Sequence, residues 1–117
     1  MEREPEYVGT KFCIRALELP DGSCPVGEFL DSLDDTARAK LDISFEMLGD
    51  QGVIKNREKF KKVEGSDKIF EFKSHQIRLL CTFKGRNVYL LHAVVKKKNK
   101  LRSQDIERAE RYKQEYL

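Results

Sequence analysis

Eight side chains of this 117-residue chain have the types and spacing to act on a phosphate. Glu71 and Lys73 lie in the run IFEFK, Arg78 in IRLLCTF, and His92, Lys96, Lys97, Lys98 and Lys100 in VYLLHAVVKKKNK. If these three runs are adjacent strands of a meander, their side chains meet on one surface. Converging Arg and Lys groups stabilise charge on a phosphate or on a pentavalent phosphorane, and a nucleic acid is the natural ligand for such a patch. Glu71 is the candidate proton acceptor beside them. Each residue also has a plain structural reading. The lysine run suits the solvated end of a strand, and Arg78 suits a cross-strand partner for Glu71. His92 suits a satisfied core histidine, and Tyr112 and Tyr116 suit core packing. His75 and His92 are not at metal-ligand spacing, and there is no Gly-rich phosphate loop or Ser–His–Asp arrangement, so neither metal nor cofactor is expected.

The charge distribution points to the same class of ligand. Residues 1–50 carry 5 Lys and Arg against 12 Asp and Glu, whereas residues 51–117 carry 18 against 8. The net +3 therefore conceals halves of −7 and +10. A polyanionic partner for the second half is expected, unless both halves mix on one folded surface. Cys13, Cys24 and Cys81 are sparse, odd in number and far apart, as suits a reducing cytoplasm. The start MEREPEY is too polar for a signal peptide. The longest apolar run is about eight residues, well short of the roughly 20 that span a bilayer.

The elements that must position these groups follow from periodicity. One domain is expected over residues 1–117. Residues 1–6 are expected to fray. KFCIRALEL alternates, with Phe12, Ile14 and Ala16 on one face of a strand that stops at PDGSCP. Pro25 suits a first helical turn, followed by the stripe Val26, Phe29, Leu30 and Leu33. A second helix is capped by Asp34 or Asp35, carries Ala37, Leu41, Phe45 and Leu48, and ends at Gly49 or Gly52. The pair reads as a helical hairpin. Residues 53–66 read as basic and irregular. Three short strands follow. Phe70 and Phe72 point inward in the first, with Glu71 and Lys73 outward. Ile77, Leu79, Cys81 and Phe83 share a face in the second, with Arg78 opposite. Lys84 to Asn87 form a turn, and the third strand, Val88 to Val95, is apolar enough to be covered on both faces. A last helix starts near Ser103, with Asp105 in its first turn and Ile106, Ala109, Tyr112 and Tyr116 on its apolar side. The expected fold is α+β: a small, mostly antiparallel sheet of about four strands, with the N-terminal helical hairpin packed on it and a C-terminal helix.

Five of these segments, in order, resemble the RelE/ParE toxin superfamily, closest to its HigB-like, phage-derived branch. They are PVGEFLDSL at 25–33, IFEFK at 69–73, IRLL at 77–80, LLHAVVKK at 90–97 and DIERA at 105–109. The resemblance implies a RelE-like fold and a cytoplasmic toxin of a type II toxin–antitoxin system, paired with an antitoxin, often of helix-turn-helix type. It further implies ribosome-dependent, metal-independent cleavage of mRNA, in which the ribose 2′-hydroxyl attacks the adjacent phosphate. By the same resemblance Arg78 would hold the scissile phosphate, Lys73 would stabilise charge or tune a proton-transfer group, and Glu71 matches the strand glutamate. His92 matches the signature histidine, and Lys96 and Lys97 match its lysine pair. Three departures stand out. Val94 replaces the family's Phe, Lys73 replaces an arginine and so lacks its bidentate fork, and Lys98 to Arg102 replace the usual Thr-Gln-Lys-Thr-Pro. A ParE-like inhibitor of DNA gyrase, or a prophage remnant that only binds its antitoxin, is the alternative.

Overall fold

The computed structural model describes residues 2–96 and 101–117. It contains a sheet of six strands between two helical layers. The strands are β1 (Tyr7–Val8), β2 (Cys13–Ala16), β3 (Phe60–Lys62), β4 (Phe70–Ser74), β5 (Ile77–Lys84) and β6 (Asn87–Val95). The helices are α1 (Pro25–Asp31), α2 (Asp35–Gln51) and α3 (Ser103–Tyr116). The sheet order is β1-β2-β6-β5-β4-β3. All neighbours are antiparallel except β2 and β6, which run parallel with Ile14 opposite Val88.

This corrects the expected four-stranded, mostly antiparallel sheet with a helical hairpin. The sheet is mixed and has six strands, because two short edge strands come from segments with no strand pattern of their own. β1 directly follows residues 1–6, which are expected to fray and are instead tied down at Arg3 and Glu6. The Glu6 N–H donates to the Ile14 carbonyl at 2.8 Å, and the Arg3 guanidinium forks onto Glu6 and Asp31. β3 lies inside the basic stretch, where Lys61 faces Glu71 across the ladder. The helices do not form a packed hairpin either. The apolar stripes of both face the sheet: α1 lies over β2 and β6, and α2 lies over β1, β2 and β4.

The first helical face holds the larger core, in which Ile14, Leu30, Leu41, Phe45, Phe72, Leu79 and Leu90 are almost wholly enclosed. The stripes expected for α1 and α2 are the residues found there, along with Ile14 and Ala16 from β2. Asp34 caps α2, its Oδ1 accepting from the Ala37 N–H at 2.8 Å. Gly52 ends α2 in the left-handed region at φ 80°, donating to the Leu48 carbonyl. Gly49 stays within the helix, and its carbonyl accepts the N–H groups of Lys11 and Phe12. Loss of the cap in Asp34→Ala is expected to cost about 1 kcal/mol, roughly 4 °C in Tm for a domain of this size. A circular-dichroism melt measures it, and an unchanged Tm would show that the cap bond contributes nothing.

α3 lies on the opposite face, over β5 and β6, and closes a second cluster of Leu17, Val63, Ile69, Leu80, Leu91 and Ala109. The helix N-cap is Arg102, one residue earlier than expected, and it makes no side-chain cap bond. Tyr112 packs against this second cluster, but Tyr116 is 37% exposed and so is not a core residue. A β-bulge in β6 shapes this face. Leu80 pairs with His92 and Cys81 with Leu90, so Leu91 is skipped. Strict alternation from Val88 and Leu90 would aim His92 into the α1/α2 core. The extra residue instead turns it, along with Leu91, toward α3.

Candidate active site

Two adjacent rows across the sheet carry the chemistry-bearing residues, both on the face toward α3. In one row Lys73 on β4 stands opposite Arg78 on β5, which stands opposite Val94 on β6. In the next, Lys61, Glu71, Leu80 and His92 follow one another across β3, β4, β5 and β6. Glu71 and His92 are thus two strand spacings apart, about 10 Å between their backbones.

The expected outward position of Glu71 is corrected: the residue is only 3% exposed, and so is Arg78. The sheet is covered on this side by α3 and by Leu101 just before it, so a residue off the main core is still enclosed. Arg78 does not pair with Glu71. Its Nη1 donates to the backbone carbonyls of His75 at 2.5 Å and Ile77 at 3.0 Å. Glu71 Oε1 instead lies 3.7 Å from Lys61 Nζ. Lys73 reaches the exposed Glu58 at 3.9 Å, an attraction that solvent leaves weak. His92 Nε2 lies 3.0 Å from Asp105 Oδ1 on the first turn of α3. This tie between sheet and helix is a satisfied histidine, and Asp105 spends its charge there. Lys96 donates its backbone N–H to the Gln76 carbonyl. Lys97, Lys98 and Lys100 lie outside the described residues.

Among the described residues, three buried side-chain atoms lack a hydrogen-bond partner: Glu71 Oε2, Arg78 Nε and Asp105 Oδ2. Two belong to the paired rows, and the third to the carboxylate that holds His92. An enclosed polar atom left unpaired costs about 1–3 kcal/mol, more when charged. Asp105 Oδ2 has the Arg102 Nε 4.0 Å away, which leaves Glu71 Oε2 and Arg78 Nε as the two that call for an explanation.

Glu71 opens onto a cleft of about 320 Å³ between β3 and the start of α3, bordered by Arg57, Lys61, Lys62, Ile106 and a second carboxylate, Glu64. A carboxylate on the floor and three cations at the mouth can take a proton and hold a phosphate. Sequence pattern does not single out these cations, because β3, which orders them, has no strand signature. The one available signal was the density of Lys and Arg between residues 55 and 62. No thiol competes as a nucleophile here: the three cysteines are unpaired, and burial pushes the Cys81 thiol well up from its ordinary range. No group of His, Cys, Asp or Glu among the described residues could hold a metal ion. No described helix is long and apolar enough to cross a membrane.

Residues 28–114, from within α1 to near the end of α3, match the family described as Phage derived protein Gp49-like (DUF891). The chain belongs to that family. Gp49-like proteins fall within the RelE/HigB-type toxins, so the assignment at this level is to a phage-derived toxin family. The Gp49-like region contains β3 to β6 and both rows of candidate residues, while β1 and β2 precede it. No curated protein matches the chain.

Proposed function

We propose that this Gp49-like protein is the toxin of a type II toxin–antitoxin system and cleaves mRNA on the ribosome. The observation that carries the reading is the enclosed Glu71, whose Oε2 has no hydrogen-bond partner among the described residues, in a cleft bordered by Arg57, Lys61 and Lys62, in a chain of a phage-derived toxin family. Burying unsatisfied charge works against folding, and a phosphate-handling site supplies the reason to keep it.

In the proposed reaction the ribose 2′-oxygen bonds to phosphorus and the P–O5′ bond breaks, giving a 2′,3′-cyclic phosphate and a 5′-hydroxyl. Glu71 takes the 2′-proton. The Lys61 ammonium, 3.7 Å from that carboxylate, gives a proton to the leaving 5′-oxygen, and proton return from Glu71 to Lys61 resets the pair. Arg57 and Lys62 neutralise the phosphorane from the mouth of the cleft. Arg78, held by two backbone carbonyls, supplies fixed positive charge from below, and Lys73 does so beside it. His92, locked to Asp105, keeps α3 seated over the site. The proposed partners are ribosome-bound mRNA and a helix-turn-helix antitoxin whose acidic segment covers the basic cleft.

Mapping mRNA 5′ ends after induction tests the reading. Cuts at A-site codons that vanish when translation is blocked are the expected result. An absence of cuts together with a DNA-supercoiling defect would replace it with a gyrase-directed inhibitor. An absence of any growth effect would leave a phage remnant that only binds its antitoxin.

A further inference from the structure

A second basic pocket, of about 350 Å³, sits at the far end of the β4–β5 hairpin. Three separate segments build it: Lys40 and Ser44 from α2, Lys59 from the segment before β3, and Lys73 and His75 from the hairpin. Glu58 is its one acidic neighbour and is itself largely exposed.

Three features distinguish it from a chance gathering of surface lysines. Lys40 Nζ and His75 Nε2 approach to 2.6 Å although they are 35 residues apart in sequence. An ammonium only donates, so the imidazole nitrogen accepts, and this bond holds the Lys40 ammonium at the pocket, where an anion would meet it. His75 occupies the left-handed region at φ 54°, which a non-glycine residue adopts at a cost. The turn is pinned from beneath by Arg78 Nη1 on the His75 carbonyl and by the Lys96 N–H on the Gln76 carbonyl. Ser44 lines the pocket at 7% exposure, and its hydroxyl makes no hydrogen bond to a described residue. The result is a preorganised cradle of cations with a spare hydroxyl donor, which suits a tetrahedral oxyanion.

Lys73 links this cradle to the Glu71 cleft. It is two residues beyond Glu71 on β4, about 7 Å along the strand, and it borders the cradle. We propose that the cradle binds a backbone phosphate of the same RNA strand whose scissile bond lies in the Glu71 cleft. The identity of the strand rests on the nuclease reading above. The strand would pass around the β3 edge, held by cations on both sides of it.

The test uses Lys40→Gln/Lys59→Gln, two exposed positions whose change leaves the core untouched. A labelled single-stranded oligoribonucleotide is titrated against both proteins over a salt series. The variant is expected to bind roughly tenfold more weakly, with a slope of log affinity against log salt shallower by about 0.7, the loss of one phosphate contact on a single strand. Inorganic phosphate is added separately while the His75 imidazole resonance is followed, and a shift is expected in the wild type only. A phosphate-induced shift with an unchanged RNA slope would make the cradle a site for the free ion and overturn the proposal. An unchanged slope without a shift would overturn it too. Ribosomal cleavage keeps the two readings apart. If the wild type and the variant cleave equally well, the nuclease stands and the cradle falls. If the wild type neither cleaves nor binds RNA, the nuclease reading fails and the cradle assignment fails with it.

Discussion

Replacing Glu71 with Gln is expected to slow mRNA cleavage by about 10²–10⁴-fold, the usual contribution of a positioned acid–base group, without lowering stability. Gln keeps the volume and planar shape of the side chain and removes only its charge and its capacity to take a proton. The folded state gives up little in exchange. Glu71 is 3% exposed, and among the described residues its one ion pair is to Lys61 at 3.7 Å and Oε2 has no hydrogen-bond partner. A buried carboxylate so poorly compensated is a net cost or close to neutral. Lys61 is 37% exposed along its side chain, so water can solvate it once the carboxylate is gone. Primer extension at a cleaved codon gives the rate, and a thermal melt of the same preparation gives the stability. Cleavage within a few-fold of wild type would remove Glu71 as the base. A collapse of stability alongside lost cleavage would make it a structural residue.

Phe72→Ala is expected to destabilise the fold by about 3–5 kcal/mol, a large part of the roughly 5–15 kcal/mol available to a domain. Phe72 is fully enclosed. Its ring meets Phe45 of α2 edge-on at 5.3 Å and Phe60 of β3 at 4.8 Å, so it joins the long helix to the edge strand. Truncation leaves a cavity that two separate elements, α2 and β3, would have to move to fill. Phe70 stacks on Phe60 at 5.7 Å but is only partly buried, so Phe70→Ala is expected to cost clearly less. Urea midpoints of the two variants make the comparison. Equal losses would show that Phe72 holds no special place between helix and sheet. Because Glu71 is the preceding residue on the same strand, loss of Phe72 should also disturb the cleft floor, and cleavage should fall with it.

Residues whose pattern is local were legible. The i, i+3, i+4 stripes of α1 and α2, the Asp34 cap and the alternation of β5 that sets Arg78 apart from Leu79 and Cys81 were all read from a few neighbours in the chain. The register of β4 on β5 was not: Arg78 suited a cross-strand partner for Glu71, and it stands opposite Lys73 instead. Residues whose position depends on distant partners were not. β1 exists because Arg3 reaches Asp31 and Glu6 bonds to Ile14. β3 exists because β4 presents an unpaired edge.

What the sequence determined by itself was an α+β chain with a basic second half and a strand-borne arginine, since charge, periodicity and turn chemistry are properties of short windows. Only the tertiary structure decided that Glu71 and Arg78 are enclosed, that a bulge turns His92 away from the main core to Asp105, and that Arg57, Lys61 and Lys62 border the cleft. The physical reason is that burial and cross-sheet register are set by what packs on the other side. Here that is α3, which comes last in the chain and folds back over β5 and β6.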